Sequence, residues 1–370
     1  MKLASNLICM LLLMSAQLVI PSFTYAAAVE PTGRDTTVST SYDLSSSPSN
    51  FNIWTHETGG YDPDNPGLWG RNNWRCLSNT SPSTGQCKSG EAKSSQGDWG
   101  AGGTTTIPTL FTEKRTGLQA VINLEGYHIG AAGKIQVTAA DSGGSGSEEF
   151  LNIYITAAEL KKIPVGGIWE GTLALDLWQW SPGKKLARWT GHITLHVTDN
   201  NNQQIYLPEF GEAAPRVDLN MRPLPGTGGN QTQMNGAATI DMCLYDGYGS
   251  NSTSFTLKFD DQQQGTKERN NAYFSIYSDQ GDVNQDSGRI DYYVRMQAPD
   301  GKYMSMIRGE DVVIPDIQTA HIRPVHLPGI PQAVLCIPAP LELSTKTIDI
   351  NSKQAGHYTG HLIVNFTSQL

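Results

Sequence analysis

Thr172-Leu173-Ala174-Leu175-Asp176-Leu177-Trp178-Gln179-Trp180 is followed by Ser181-Pro182-Gly183-Lys184-Lys185-Leu186-Ala187 and then by Arg188-Trp189-Thr190-Gly191-His192-Ile193-Thr194-Leu195-His196-Val197. Leu173, Leu175 and Leu177 recur at every second residue, as do Ile193, Leu195 and Val197. That is the side-chain period of a strand with one buried face, not of a helix. The Pro/Gly-containing gap predicts that residues 181–187 close a hairpin between the two runs. The leucines then face a core, and Asp176, Trp178 and Trp180 point to the opposite face. On the partner strand Trp189, Ile193, Leu195 and Val197 take the core side and leave Arg188, Thr190 and His192 outward. One exposed tip would carry two indoles with Lys184, Lys185 and Arg188. Flat amphipathic rings beside cationic donors suit a sugar or sialylated ligand. The same pattern also fits indoles that cover an inter-domain seam or a second sheet, because a sandwich has two inner faces.

Outward from this hairpin the period stays at two. Phe255, Leu257 and Phe259 alternate with Ser254, Thr256 and Lys258, and similar runs span residues 118–124, 150–155, 239–245, 289–296 and 358–367. Many short strands with turn-rich gaps, repeated over two halves, predict an all-β chain of two β-sandwich domains in tandem. One helical turn is expected after Thr156, where Thr156-Ala157-Ala158-Glu159 is a capping box stopped by Pro164. Asp199 to Gln203 and the Gly/Pro-rich stretch from Pro223 to Gly236 are both candidate junctions between the halves. All eight Trp lie before residue 200, so the halves do different work.

The chain has 370 residues, 16% of them charged, with 38 Gly and 20 Pro, which suits two domains of turn-rich β structure. Residues 1–26 read as a signal peptide: a basic start at Lys2, an apolar stretch from Leu7 to Ile20 and small residues at Ala26-Ala27-Ala28. The mature protein is expected to be exported, and no second segment is apolar enough to cross a membrane. Without Lys2 there are 25 basic and 35 acidic side chains, a net charge of −10, and no Lys/Arg run. Nucleic acid is therefore not an expected partner, because duplex binding needs clusters that neutralise phosphates.

Cys9 lies in the leader, so Cys76, Cys87, Cys243 and Cys336 remain, an even number suited to an oxidising compartment. Three connectivities are possible. Position favours Cys76 with Cys87, in one polar loop, and Cys243 with Cys336, wholly in the second half.

No catalytic constellation emerges: HExxH, GxSxG, the P-loop and GxGxxG are absent, and no pair of carboxylates is spaced to flank a cleft, so no enzyme and no cofactor are expected. His192 with His196, and His357 with His361, are four apart on strands, hence about 13 Å from each other and too far for one metal. Solvated strand histidines are the expectation. Asp282 to Gly288 imitates a calcium loop, but its glycine is displaced and position 12 is Tyr293 rather than a bidentate Glu, so a polar loop is expected. Asn79, Asn230, Asn251 and Asn365 each open an Asn-x-Ser/Thr triplet.

Five segments carry a family resemblance: Phe111 to Arg115, Ile163-Pro164-Val165-Gly166-Gly167-Ile168-Trp169, Arg216-Val217-Asp218-Leu219-Asn220-Met221-Arg222-Pro223, Asp241-Met242-Cys243-Leu244-Tyr245-Asp246-Gly247-Tyr248 and Tyr358-Thr359-Gly360-His361-Leu362-Ile363-Val364-Asn365-Phe366. Together they resemble the minor tip adhesins of class five fimbriae, of the colonisation factor antigen I type, also described as pilus biogenesis initiators of the alternate chaperone-usher pathway. The resemblance runs over nearly the whole mature chain. It implies immunoglobulin-like sandwiches: an adhesin domain at 27–199, a linker at 200–202 and a pilin domain at 203–370, with the Gly/Pro stretch a loop inside the latter.

The resemblance also implies partners. The pilin domain of this family lacks its last strand, which a periplasmic chaperone and then the major pilin supply at the outer-membrane usher by adding a strand to an open sheet. Here Tyr358, Leu362, Val364 and Phe366 alternate on a last strand expected to end three or four residues before the C-terminus, with none following to cover the groove. A host glycan or glycoprotein receptor is implied on the outer domain. Arg71 matches one arginine of the family's basic patch, whereas its arginine pair falls here on Trp178 and Gln179, so Lys184, Lys185 or Arg188 would compensate. A second disulfide common in the family's adhesin domain is replaced by Gly143-Gly144-Ser145-Gly146. A purely structural initiator that binds no receptor is the alternative function.

Overall fold

A computed structural model describes residues 27–46, 48–65, 67–92, 99–100, 102–141, 147–212, 214–225 and 232–369. The leader, the Gly143 to Gly146 replacement and the Gly-rich part of the 223–236 stretch lie outside the described residues. Apart from one short α-helix and a few single 3-10 turns, the regular structure of the described residues is β. No sheet contains strands from both sides of residues 200–202 among the described residues.

The N-terminal half holds β1 (Arg34–Asp43), β2 (Phe51–Thr58), β3 (Asn72–Cys76), β4 (Trp99–Gly100), β5 (Thr105–Glu113), β6 (Gln119–Gly130), β7 (Gly133–Gln136), β8 (Ala140–Asp141), β9 (Phe150–Ile155), β10 (Gly167–Trp180) and β11 (Gly183–Thr198). The sheet runs β1-β11-β10-β5-β6-β9-β2. β10 pairs with β5 through Trp169 to Gly171 and then with β3 through Leu175 to Gln179, so one long strand holds two neighbours in succession on one side. The sheet rolls until its edge strands touch. Trp54 Nε1 on β2 donates to Thr36 Oγ1 on β1 at 3.1 Å, and Arg34 pairs with Glu57 at 2.6 Å.

The roll closes over indoles. Trp189 packs edge-on against Trp54 and Trp74, with ring centroids 5.7 and 5.5 Å away, and all three are buried. Each such aromatic pair contributes about 1 kcal/mol beyond the area it buries. Leu173, Leu175, Leu177, Ile193, Leu195 and Val197 line the same core, on the side that their alternation dictates. After β9 comes the helix α1 (Ala157–Leu160), whose cap Thr156 Oγ1 accepts from Glu159 N at 3.2 Å. The Glu159 carboxylate does not close the capping box. It accepts from Asn123 N at 3.1 Å and ties the turn to β6.

In the C-terminal half, the strand Ser254–Asp261 lies between Asp311–Pro315 and Leu362–Gln369. A second sheet orders Ala237–Ile240, Leu341–Thr345, Arg289–Gln297, Phe274–Ser278 and Tyr358–Thr359. The run expected at 239–245 is broken into two strands, because Cys243–Tyr245 leaves for a separate ladder with Gln204–Tyr206 and Val334–Pro338. Phe255, Leu257, Phe259, Phe274 and Met296 fill the core. The chain pairs Cys76 with Cys87 and Cys243 with Cys336. The Asp282 to Gly288 loop places Asp286 against Lys267 Nζ at 2.8 Å.

Residues 200–202 form a single turn whose start is tied to both halves. Asn200 N donates to Asp43 Oδ2, and Asp199 N donates to Gly247 O at 2.7 Å. Tyr245, Leu327, Ile330 and Val334 from the second half join the apolar cluster of the first. Two glycines allow this approach: a Cβ on Gly166 would collide with the Gly247 carbonyl, and Gly247 itself has φ +66°. The connection between the halves is a packed joint.

Candidate functional site

The distal end of the β10–β11 hairpin gathers all six residues singled out at this tip. In register, Asp176 lies opposite Arg188, Trp178 opposite Lys185, Gln179 opposite Lys184 and Trp180 opposite Gly183. On the other side of β10, Trp180 N donates to Arg71 O at 3.0 Å, and Arg71 Nη1 returns a hydrogen bond to Ser181 O at 3.1 Å. The hairpin is tighter than expected. β11 begins at Gly183, so only Ser181 and Pro182 form the turn, while Lys184 and Lys185 stay in the ladder and Leu186 is the extra residue of a bulge.

Exposure corrects the reading of two solvent-facing indoles. Lys184, Lys185 and Arg188 are exposed and Trp178 is half-buried, but Trp180 is 5% exposed. Trp180 packs with Ala92 and Ala140, and Trp178 leans on the same small cluster. The outward face of β10 is covered there by Ala92 and Ala140, on chain that is tied to β3: Cys76 N donates to Lys88 O, Trp74 N to Val137 O and Asn73 Nδ2 to Thr138 O. Period-two reasoning assigns the face correctly, yet a second layer brought from distant sequence dries part of it. The roof also buries all five residues of β3, Asn72, Asn73 and Arg75 included.

Asp176 organises the charges. Its carboxylate takes Lys185 Nζ at 2.7 Å and Arg188 Nε at 2.8 Å. Burial pushes this carboxyl up, but the hydrogen bonds and charges of Arg188 and Lys185 outweigh it and hold the group below the usual carboxylate range. Sequence patterns do not mark Gln179 beyond its place in the family motif, yet it shapes the site. It is buried and pins the loop before β3: Nε2 donates to Gly67 O at 3.1 Å and Ser181 O at 3.2 Å, and Oε1 accepts from Trp69 N at 2.9 Å. Nothing local signals this role, because Trp69 is 110 residues earlier.

Beside β3 lies a buried polar group, with His128 edge-on to Trp74. His128 and Glu149 are essentially inaccessible, with Nδ1 3.2 Å from Oε2. Burial lowers the imidazole to about 3, and burial reinforced by Asp141 raises the Glu149 carboxyl well above its usual value. Burial thus disfavours the charged form of both members. The backbone N–H of Asn72 also bonds Glu149, which ties this group to the start of β3 next to Arg71.

The second candidate region is the last strand. Phe255, Leu257 and Phe259 of the Ser254–Asp261 strand are fully buried, whereas Leu362, Val364 and Phe366 of Leu362–Gln369 are only half-buried on the same core. Leu257 pairs with Phe366 and Phe259 with Val364, so exposure rises within one step across the sheet. Two details differ from expectation. The strand continues to Gln369, because Thr253 N and Thr253 Oγ1 both bond Gln369 O. Tyr358 belongs to a separate two-residue strand in the other sheet, where its hydroxyl lies within hydrogen-bond reach of Ser287 O at 2.7 Å and Gln354 O at 2.8 Å.

Comparison with known proteins bears on both regions. Residues 23–200 match the family model for the first domain of CfaE, a CFA/I fimbrial protein, and residues 203–370 match the model for its second domain. The CFA/I fimbrial protein CfaE of Escherichia coli is 31% identical over 316 residues, 81% of each chain.

The chain belongs to the CfaE family of CFA/I fimbrial proteins.

Solved structures agree. The crystal structure of CfaE, the adhesive subunit of the CFA/I fimbria of enterotoxigenic Escherichia coli, superposes with a TM-score of 0.79 at 28% identity, covering 92% of this chain and 94% of that one. A structure described as a chaperone-tip adhesin complex in CFA/I fimbriae biogenesis matches with a TM-score of 0.67 at 26% identity, covering 94% and 99%.

In this CfaE homologue, the joint between the halves is as built as either end. Arg115, on the turn after β5, reaches Ser250 O, Ile317 O at 3.0 Å and Ala320 O at 2.7 Å. Buried Glu113 accepts from Arg115 N, Thr116 N, Ile168 N and Asn251 Nδ2. Asn251, the third Asn-x-Ser/Thr site, is thus consumed by the joint. His196 is not the solvated strand histidine expected, because its Nδ1 lies 2.9 Å from the Tyr248 hydroxyl across the joint. From Gly167 at the joint to Trp180 at the tip, β10 spans about 40 Å at 3.3 Å per residue. The hairpin tip and the joint therefore sit at opposite ends of the same two strands.

Proposed function

We propose that this protein is the non-enzymatic adhesive subunit at the tip of a fimbria, binding a host-cell glycan and initiating pilus assembly. In this reading residues 1–26 direct export and are removed, 27–199 form the adhesin domain, 200–202 the linker, and 203–370 the pilin domain. The observation that carries it is the open edge at Leu362, Val364 and Phe366, one strand away from a fully buried row. An unpaired edge over half-covered apolar side chains is what a donated strand completes, and it invites aggregation when left alone. A periplasmic chaperone fills it first, and the major pilin replaces the chaperone at the outer-membrane usher. The relatives named above, an adhesive subunit and a chaperone-bound tip adhesin, support the adhesive role and the chaperone partner.

The hairpin tip is the proposed receptor platform, with Trp178 as the stacking face and Arg71, Lys184, Lys185 and Arg188 around it. Its distance from the joint leaves it free when the pilin end is engaged. Trp178→Ala and Arg71→Ala, made separately in a protein carrying a fused donor strand, are expected to weaken host-cell attachment at least about tenfold. Unchanged attachment by both variants removes the platform assignment. A structural initiator without a receptor is the second reading, favoured by the burial of Trp180. On that reading, fimbriae assembled with residues 27–199 deleted from this subunit still attach to cells.

A further inference from the structure

The platform reading leaves open what kind of sugar is taken, and Asp176 answers it. Recognition of a carboxylate sugar calls for a guanidinium fork with unoccupied donors. Arg188 is already committed, and Arg71 is held against the turn by one donor, with its Nε buried and without a partner among the described residues. Arg188 directs Nε and Nη2 at the two oxygens of Asp176, at 2.8 and 3.4 Å. Lys185 Nζ closes on the same carboxylate at 2.7 Å. Arg71 donates to Ser181 O, and its guanidinium carbon lies 5.7 Å from the centroid of the buried Trp180 ring.

The carboxylate of Asp176 thus stands where an acidic sugar's own carboxylate would have to bind. Its side chain is 15% exposed, against 50% for Arg188 and 41% for Lys185, so the acid is the fixed member and the cations fold onto it. An incoming carboxylate must break this pair and then face Asp176 at short range, with like charges opposed. Lys184 makes no ion pair among the described residues, and it is a single point charge without a fork. What the tip still offers is the partly exposed Trp178 ring, a surface that stacks on the apolar face of an uncharged pyranoside.

We propose that the platform selects neutral glycans over their sialylated counterparts, and that Asp176 is the residue that sets this preference by occupying the cationic donors from within. This deepens the adhesin reading and rests on it.

The experiment uses the full mature chain with a fused donor strand and pairs of glycans identical except for a terminal sialic acid. Wild type is expected to bind the desialylated member about tenfold more tightly, with little change between about 0.05 and 0.5 M salt. Asp176→Asn releases Arg188 and Lys185 at constant shape and is expected to raise binding of the sialylated member about tenfold, with a steep salt dependence. A wild type that prefers the sialylated member overturns the inference and leaves the adhesin reading standing. So does a folded Asp176→Asn protein with unchanged preference. The salt series on wild type decides the matter should that variant not fold, since strong salt dependence of its preferred glycan contradicts a neutral ligand. Binding of neither member, together with cell attachment indifferent to Trp178→Ala, overturns both the inference and the platform reading.

Discussion

The guanidinium of Arg115, in the turn between β5 and β6, donates to the main-chain carbonyl of Ala320 at 2.7 Å, although 205 residues separate them. The same side chain reaches the carbonyls of Ser250 and Ile317. One arginine of the N-terminal half thereby satisfies three acceptors on the other half. Truncating it leaves these acceptors without their donor, so Arg115→Ala is expected to cost about 3 kcal/mol. Urea denaturation of the donor-strand-complemented protein measures the loss. A shift within about 0.5 kcal/mol of wild type means that apolar packing alone holds the joint.

Phe366 and Asn365 are neighbours on the last strand with opposite faces. Phe366 packs edge-on against Phe255, centroids 4.9 Å apart, while Asn365 is exposed. Phe366→Ala is expected to destabilise by about 2 to 3 kcal/mol, and Asn365→Ala by less than about 0.5. Without a donor strand or chaperone, wild type itself should run as aggregate on size exclusion and become monomeric once a donor strand is fused. A stable undonated monomer contradicts the open-groove reading.

His128 and Glu149 give the N-terminal half a pH signature. The folded-state imidazole is depressed to about 3 from its usual 6.5, so its contribution is complete above about 6.5 and is lost as pH falls toward 3. The raised Glu149 carboxyl acts with the opposite sign: its contribution is present below the ordinary carboxylate value and is lost as pH rises through the raised one. Between about pH 7.5 and pH 5 the histidine contributes an acid loss of roughly 2 kcal/mol. His128→Gln should therefore lose that much less than wild type over this interval, and Glu149→Gln should flatten the alkaline side. Parallel pH curves for wild type and both variants contradict these two shifts.

Cys243 with Cys336 closes 93 residues, and Cys76 with Cys87 closes 11. Chain-entropy reasoning assigns about 4 to 5 kcal/mol to the first and about 3 to the second. Paired Cys→Ser variants should order in that way by denaturant midpoint. The reverse order would show that the roof anchored beside Cys76 and Cys87 matters more than loop length.

The fold class is legible because strand periodicity is a local property. Leu173 to Leu177 and Ile193 to Val197 need no distant partner to declare a buried face, and Thr156 declares its cap from the Glu159 N–H alone. The half-covered row at Leu362, Val364 and Phe366 shows in the same way, as alternation. Tyr358 shares the phase of that row, but Gly360 and His361 let the chain pass from one sheet to the other.

The candidate site is legible in membership and not in state. Arg71, Trp178, Lys184, Lys185 and Arg188 do converge, since hairpin pairing and a neighbouring strand fix their places. Sequence by itself determined the two-sided strands, the even cysteine count and the cluster of indoles and cations at one hairpin. Only the tertiary structure decided that Trp180 is dry, that Gln179 pins the Gly67 to Trp69 loop, that Asp176 holds two of the cations, and that Arg115 clamps the halves. The physical reason is that burial and ion pairing depend on what packs over a strand, and here the covering residues come from chain tens to hundreds of positions away. Period two tells a strand which way its side chains point, and it carries no information about what they will meet.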